Sequence, residues 1–325
     1  MRLHRAIFAL TIAFSFALAG PVPAAPPAAE VQPEHVILFV LEGFGQDSLK
    51  AGSMPVLSKL VKNGSVAWSA AAVNPPLRLP TMASIFTGLP VEKHGMDWDT
   101  FDFARGYPRP PLMFDYLDLS GGKDTAVFFM EESLYQLARP SSYVDYQICG
   151  RLRPECRAAT IVTYVQEYFK KGERGGYNHY VYGLPHLLIV HLPDAGRAGQ
   201  EQGWTSKAYR AALKDVDDAM SAILDLYKQY KLYDHTMIIV TALNGIGEQK
   251  QNGSLPHVPW IASGANIKAG HTIAAPISIM DTGATVMRAF GLETHTEWQS
   301  RAIEEIFRAP RAIVRNEPAL NLYGQ

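Results

Sequence analysis

Three continuous apolar runs of strand length constrain the fold more than any other feature of the sequence. They are His35–Leu41 (HVILFVL), Leu187–Leu192 (LLIVHL) and residues 236–241 (TMIIVT). Such runs are typical of strands that are buried on both faces, as in a mostly parallel sheet covered by helices. The chain has 325 residues, of which 47% are hydrophobic, so it is long enough to form one large α/β domain.

Helical spacing of apolar residues appears between these runs. It predicts helices over residues 54–61, 158–171 and 206–230, and the apolar stretch 125–130 predicts a further strand. The formal net charge is −1 and there is no long basic run, so nucleic acid is not an expected partner.

The first 24 residues have the pattern of a secretory signal peptide. A basic start and an apolar run over residues 6–19 are followed by the small-residue exit Val22-Pro23-Ala24. The apolar run is shorter than the roughly 20 residues of a membrane helix, so no stable membrane anchor is expected after cleavage. The sequence therefore predicts an exported protein, periplasmic or secreted.

Residues 25–34 are predicted as a Pro/Ala-rich linker, residues 35–310 as the domain and residues 311–325 as a tail.

Export bears on the two cysteines of the chain, Cys149 and Cys156. In an oxidising compartment they are predicted to form a disulfide that pins a surface loop. The alternative, a redox or metal pair, lacks the CxxC spacing and a nearby histidine.

Residues 74–95 (NPPLRLPTMASIFTGLPVEKHG) form the most distinctive polar-to-apolar transition. A Pro-rich loop enters an apolar run that stops at Thr87-Gly88, which predicts a helix with Arg78 just before its N-terminus. Unpaired N–H groups and the helix dipole favour anions at such a position.

This segment resembles the nucleophile segment of the alkaline phosphatase superfamily, in its type I phosphodiesterase/nucleotide pyrophosphatase and sulfatase-like branch, where the pattern is similar to TxPNHASLxTGxxPxxHG. Residues 255–270 and 280–292 also resemble family segments, the second as a helix with Asp281 as N-cap and Gly291 as its stop. The resemblance implies an α/β three-layer sandwich with a mostly parallel central sheet. It also implies a small cap insertion at about residues 101–185.

The resemblance assigns the nucleophile position to Arg78, which cannot act as a nucleophile because its guanidinium stays protonated. Thr81 is a weak substitute, or a helix N-cap. The family's metal-ligand positions fall on Glu42, Asp194, Gln200, Leu243 and Asn244. Only Glu42 and Asp194 remain candidate ligands, and two carboxylates cannot hold two Zn²⁺ ions. Nearby His191 and His257 are interpreted as packing residues, with ligation by His191 as the less favoured alternative.

The leading hypothesis is a binding or assembly pseudoenzyme with no cofactor, whose partner is an anionic ligand or a protein. Arg78 is then expected to pair with one or both of Glu42 and Asp194. The alternative is an active phosphodiesterase, phosphatase or sulfatase, with Zn²⁺ or a non-standard residue set, in which His186 or His179 would join Asp194, Glu42 and Thr81. A third possibility, a hydrolase with one metal or none and Asp194 as general base, lacks an evident nucleophile.

Overall fold

A computed structural model of the chain describes residues 30–313, except residues 52–53, 138–143, 149–155, 174–183 and 246–255. The strands are β1 His35–Leu41, β2 Gly64–Ala71, β3 Thr125–Phe129, β4 Val144–Ile148, β5 Leu187–Leu192, β6 Thr236–Ala242, β7 His257–Gly264 and β8 His271–Thr272. The helices are α1 Ser48–Ala51, α2 Pro55–Lys62, α3 Arg78–Thr87, α4 Val91–His94, α5 Met113–Gly121, α6 Ala158–Glu173, α7 Asp194–Gln202, α8 Lys207–Gln229 and α9 Asp281–Ala289. Short 3-10 helices span Phe103–Arg105, Glu132–Leu137, Tyr233–His235 and Glu304–Ile306.

The eight strands form one sheet in the order β4-β3-β5-β1-β6-β7-β2-β8. Strands β4, β3, β5, β1 and β6 run parallel, and β7 is antiparallel to both β6 and β2. Helices α2, α6, α7 and α8 pack together as one outer layer, while α3, α5 and α9 form the other. The predicted three-layer α/β fold with a mostly parallel sheet is therefore confirmed.

Burial explains why the predicted strands and helices form where they do. Every residue of β1 and β5 is buried, because helices cover both faces of the sheet. Helix α8 turns one apolar stripe inward, and Ser206 caps its first turn by accepting a hydrogen bond from Tyr209 N. No helix among the described residues is long and apolar enough to cross a membrane.

The cap prediction is wrong for the part of residues 101–185 that the structure describes. Strands β3 and β4 extend the central sheet beside β5, and α6 packs on α8, so these elements belong to the main domain. Every residue of β3 is buried within the sheet. The predicted signal peptide (residues 1–24) and Cys149 lie outside the described residues, so the disulfide to the buried Cys156 stays a prediction.

Candidate functional site

The carboxyl ends of three parallel strands meet at one edge of the sheet. In the register of β1, Leu41 is level with Leu192 of β5 and Ala242 of β6. Glu42 and Leu243 therefore emerge side by side, with Asp194 two residues beyond the end of β5. Ligand sites of parallel α/β sheets form at this edge.

Arg78 and Glu42 form a two-pronged ion pair at this edge. The Nε of Arg78 lies 2.5 Å from Oε1 of Glu42, and its Nη2 lies 3.1 Å from Oε2. Glu42 is 1% exposed and the Arg78 side chain 19%. Helix α3 begins at Arg78 itself, one residue earlier than predicted, with Leu77 as N-cap. The expected pairing of Arg78 with a carboxylate is thus confirmed for Glu42.

His191 holds the same carboxylate from the neighbouring strand. Its Nε2 lies 2.8 Å from Oε1 of Glu42, and its Nδ1 accepts a hydrogen bond from Met130 N at 3.4 Å. Since Nδ1 is the acceptor, Nε2 carries the proton and donates to Glu42. The side chain is fully buried, so the packing interpretation of His191 is confirmed. Its hydrogen bond to Glu42 was not predicted from the sequence. The available signal was that β1 and β5 are neighbouring parallel strands, which brings their carboxyl ends together.

These contacts fix the charges of the pair. Burial opposes ionisation of Glu42, but the hydrogen bond from His191 and the charge and hydrogen bonds of Arg78 outweigh it. The pKa of Glu42 is consequently lowered to about 2. Burial likewise opposes the charge of Arg78, yet Glu42, Glu131 and Asp99 raise the pKa of its guanidinium. Both groups are charged throughout the physiological range.

Asp99 occupies the N-terminus of helix α3. Its Oδ1 accepts a hydrogen bond from Leu79 N at 2.8 Å, and its Oδ2 lies 3.4 Å from Nη1 of Arg78. Burial raises the pKa of Asp99, partly offset by the Leu79 hydrogen bond and the charge of Arg78. A carboxylate of the chain itself thus fills the place at which an external anion would bind a helix N-terminus. The sequence suggested only a polar loop residue here.

Glu131 and Arg197 extend the charge network. Glu131 lies 3.9 Å from Nη2 of Arg78 and 2.6 Å from Nη2 of Arg197. The guanidinium of Arg197 also donates to the backbone oxygens of Met130 and Cys156. Neither residue was singled out from sequence, because no motif distinguishes them. The network ties the loop after β3 to helix α7.

Asp194 takes no part in the Arg78 pair, so of the two carboxylates that Arg78 was expected to meet, only Glu42 pairs with it. Its Oδ1 accepts a hydrogen bond from Ala158 N, at the first turn of α6, at 3.1 Å. Its Oδ2 is buried and finds no hydrogen-bond partner within the described residues, and burial raises the pKa of the carboxyl group. Asp194 acts in this structure as a cap of α6.

The remaining predicted positions are dispersed or apolar. Gln200 is exposed on α7, Leu243 is fully buried, and Oδ1 of Asn244 accepts a hydrogen bond from Gly43 N at 2.6 Å. Thr81 is fully buried in α3 and is not its N-cap, so that prediction is wrong, and its Oγ1 has no hydrogen-bond partner in the described structure. Asp281 is likewise the first residue of α9, one position after the N-cap Met280.

The residues present do not fit the two-metal centre that the resemblance implies. Within the described ranges, no group of three or more His, Cys, Asp or Glu side chains could hold a metal ion. Both oxygens of Glu42 are bonded to Arg78, and one of them also to His191. Glu42 is therefore engaged within the protein, and Oδ2 of Asp194 alone cannot hold a two-metal centre.

His94 belongs to the His-Gly pair that ends the segment 74–95. Its burial makes the stability of the domain depend on pH. It is fully buried, its Nδ1 accepts from Met96 N, and its Nε2 donates to Ser84 Oγ at 2.8 Å. Burial lowers the pKa of His94 to about 4 from an unfolded value near 6.5. The unfolded chain binds this proton first, so the stability that neutral His94 contributes is present above pH 6.5 and is lost as the pH falls to about 4.

We therefore expect His94→Gln to flatten the stability profile in that window. The measurement is the urea midpoint at about pH 7 and about pH 5, for wild type and variant. His235→Gln, at an exposed histidine, is the matched control and should leave the slope closer to that of wild type. An unchanged slope in His94→Gln would contradict a buried neutral imidazole at this position.

Comparison with known proteins finds similar sequences and structures. The family model described as type I phosphodiesterase/nucleotide pyrophosphatase matches residues 36–288. Human ectonucleotide pyrophosphatase/phosphodiesterase family member 1 is 25% identical over 247 residues, which are 69% of this chain and 24% of that protein. Family member 3 from Rattus norvegicus is 25% identical over 236 residues, 66% of this chain and 25% of that protein. The chain spans about a quarter of the length of these curated relatives.

Solved structures share the fold. An inactive variant of murine ectonucleotide pyrophosphatase/phosphodiesterase 5, in complex with AMP, superposes with a TM-score of 0.65 and 13% identity, covering 84% of this chain and all of that one. A putative sulfatase from Bacteroides thetaiotaomicron gives a TM-score of 0.63 and 12% identity, covering 85% and 74%. At such identities the likeness concerns the fold alone.

Proposed function

Since the chain belongs to the type I phosphodiesterase/nucleotide pyrophosphatase family, within the alkaline phosphatase superfamily, we propose that it is a binding or assembly protein that has lost the hydrolytic site of its relatives. One observation carries the proposal. Arg78 occupies the nucleophile position, and its guanidinium donates hydrogen bonds to both carboxylate oxygens of the buried Glu42. Guanidinium has no usable lone pair and stays protonated, so it cannot attack phosphorus or sulfur.

The surrounding positions support the same proposal. Phosphoryl transfer needs positive charge at the transferring group. Here the positive charge of Arg78 is already balanced by Glu42, with Asp99 and Glu131 close by. Leu243 offers no ligand atom. The side chain of Asn244 accepts a hydrogen bond from the backbone N–H of Gly43, which follows β1. What remains is a charge-compensated cluster at the sheet edge, which supports a binding role over a hydrolytic one.

The alternative, a hydrolase with a non-standard residue set, has less support. His186 precedes β5 at the opposite end of the sheet from Glu42, about 20 Å along the strand. Thr81 is fully buried. His179, the other histidine of that hypothesis, lies outside the described residues. The described members of the set therefore do not converge.

We also propose that the protein is exported, to the periplasm or beyond. The support is the signal-peptide pattern of residues 1–24 and the ecto- designation of the matched relatives. The proposed partner is a protein or a small ligand, and the near-neutral charge gives no reason to propose nucleic acid.

Metal content and turnover, measured on one sample, test the proposal. Purified protein is dialysed against zinc and manganese, analysed by elemental mass spectrometry, and assayed with nitrophenyl phosphodiester and nitrophenyl sulfate. We expect metal well below one ion per chain and no turnover above buffer. One or two retained ions per chain together with turnover would contradict the proposal.

A further inference from the structure

The exposed aromatic side chains of the described structure lie on two segments that also carry carboxylates of the Arg78 network. Every phenylalanine, tyrosine or tryptophan classed as exposed there belongs to one set, which we call the aromatic rim: Phe101, Phe103, Tyr107 and Tyr135, with exposed fractions of 43, 79, 37 and 39%. Scattered exposed apolar residues are ordinary, but a contiguous group marks an interaction surface.

The aromatic rim is one pre-organised surface and not two loose loops. Gln136, 1% exposed, accepts a hydrogen bond from Asp102 N at 2.9 Å and donates to the oxygens of Asp102 and Gly106. The rings of Phe101 and Tyr135 meet edge to face at 5.8 Å. The backbone at Asp102 and Gly106 and the Phe101–Tyr135 ring pair are thus fixed before binding, which reduces the entropy that binding must overcome.

The rim borders the charge network directly. Asp99, which caps α3 and faces Arg78, lies two residues before Phe101. Glu131, 3.9 Å from Arg78, lies four residues before Tyr135. The segments that carry the rim therefore also carry two of the carboxylates near Arg78.

Carboxylates dominate the charge around the rim. The segments 97–107 and 131–135 carry five of them: Asp97, Asp99, Asp102, Glu131 and Glu132. Their one cation, Arg105, already pairs with Asp97 at 2.6 Å and lies 3.6 Å above the ring of Trp98. Arg78 is similarly engaged. An anionic ligand would meet repulsion here, whereas a cation would meet aromatic faces and acceptors together.

We propose that the aromatic rim is the docking surface for a basic segment of a partner protein. Arginine or lysine side chains of that segment stack on the exposed rings and pair with the neighbouring carboxylates, as Arg105 already does with Trp98 and Asp97. This inference rests on the proposed binding function and gives that function a partner chemistry. It replaces the anionic ligand expected from sequence.

The test uses the purified chain and fluorescein-labelled dodecapeptides that alternate glycine with arginine, lysine or glutamate. We expect the arginine and lysine peptides to bind in fluorescence anisotropy, more weakly as salt rises, and the glutamate peptide not to bind. The double variant Phe103→Ser/Tyr135→Ser should bind at least about tenfold more weakly, and Asp102→Asn should reduce the salt dependence. Leu119→Ser, 78% exposed and outside the rim, is the control and should bind as wild type.

Several outcomes would overturn the inference. They are no binding of either basic peptide, equal binding of the glutamate peptide, binding unaffected by the double variant, or binding of a neutral hexasaccharide in place of the basic peptides. The metal and turnover assay on the same preparation separates the two proposals. Turnover with bound metal rejects the proposed function, whereas an inert, metal-free protein that ignores the basic peptides rejects only the partner chemistry.

Discussion

Replacing Arg78 by methionine is expected to lower the free energy of unfolding by about 3–5 kcal/mol, because it leaves a buried carboxylate without its cation. Glu42 is 1% exposed, and His191 alone would remain to hold it. The measurement is urea unfolding at neutral pH, followed by circular dichroism. The cost should shrink in acid, as Glu42 takes up a proton.

The double variant Arg78→Met/Glu42→Gln tests whether the loss of stability in Arg78→Met comes from the unpaired charge of Glu42. Glutamine keeps an oxygen that accepts from His191 but buries no charge, so we expect it to recover at least half of the lost stability. Glu42→Gln alone is the matched single variant. Stability losses that simply add in the double variant, or an Arg78→Met protein as stable as wild type, would show that the two charges are not coupled.

Gly43→Ala is expected to be the second most damaging change at this edge, at about 2–5 kcal/mol. Gly43 has a φ of +64°, which disfavours any side chain, and a Cβ there would lie 2.6 Å from the Cα of Gly196 and 2.7 Å from the ring of Trp204. Helix α7 would have to move away from the end of β1. Thermal or urea unfolding measures the loss.

Gly122→Ala provides the control for the backbone conformation alone. Gly122 has a similar φ of +55° but nothing within 4 Å of a Cβ, so its substitution should cost only about 1–2 kcal/mol. Equal losses in the two variants would mean that the close approach of α7 to β1 contributes nothing.

The central fold was predictable because its signals are local. β1 and β5 coincide with their predicted ranges, and α8 has the predicted amphipathic stripe. These elements were predictable because burial of a strand or of one helix face produces a regular spacing of apolar residues in the sequence. Residues 101–185 were misassigned because the place of β3 and β4 at the sheet edge depends on long-range pairing, which leaves no local pattern.

The site was predictable in part. The Arg78–Glu42 pair followed from opposite charges on two motifs that the family brings together. The roles of Asp99, Glu131 and His191 did not, because each depends on the direction of one side chain across elements distant in sequence. Asp194 was placed correctly at the strand end and the start of α6 at Ala158 was predicted, yet the bond between them is a long-range contact that leaves no local pattern.

The bond between Asn244 and Gly43 bears on whether such a site can revert. Asn244 Oδ1 fastens the end of β6 to that of β1, just as Arg78 fastens α3 to β1. A single substitution that places a hydroxyl nucleophile at Arg78 or a metal ligand at Asn244 removes one of these contacts. The contact is lost even if the new side chain does not yet support hydrolysis. Under the proposed loss of hydrolysis, a return to activity would therefore pass through less stable chains.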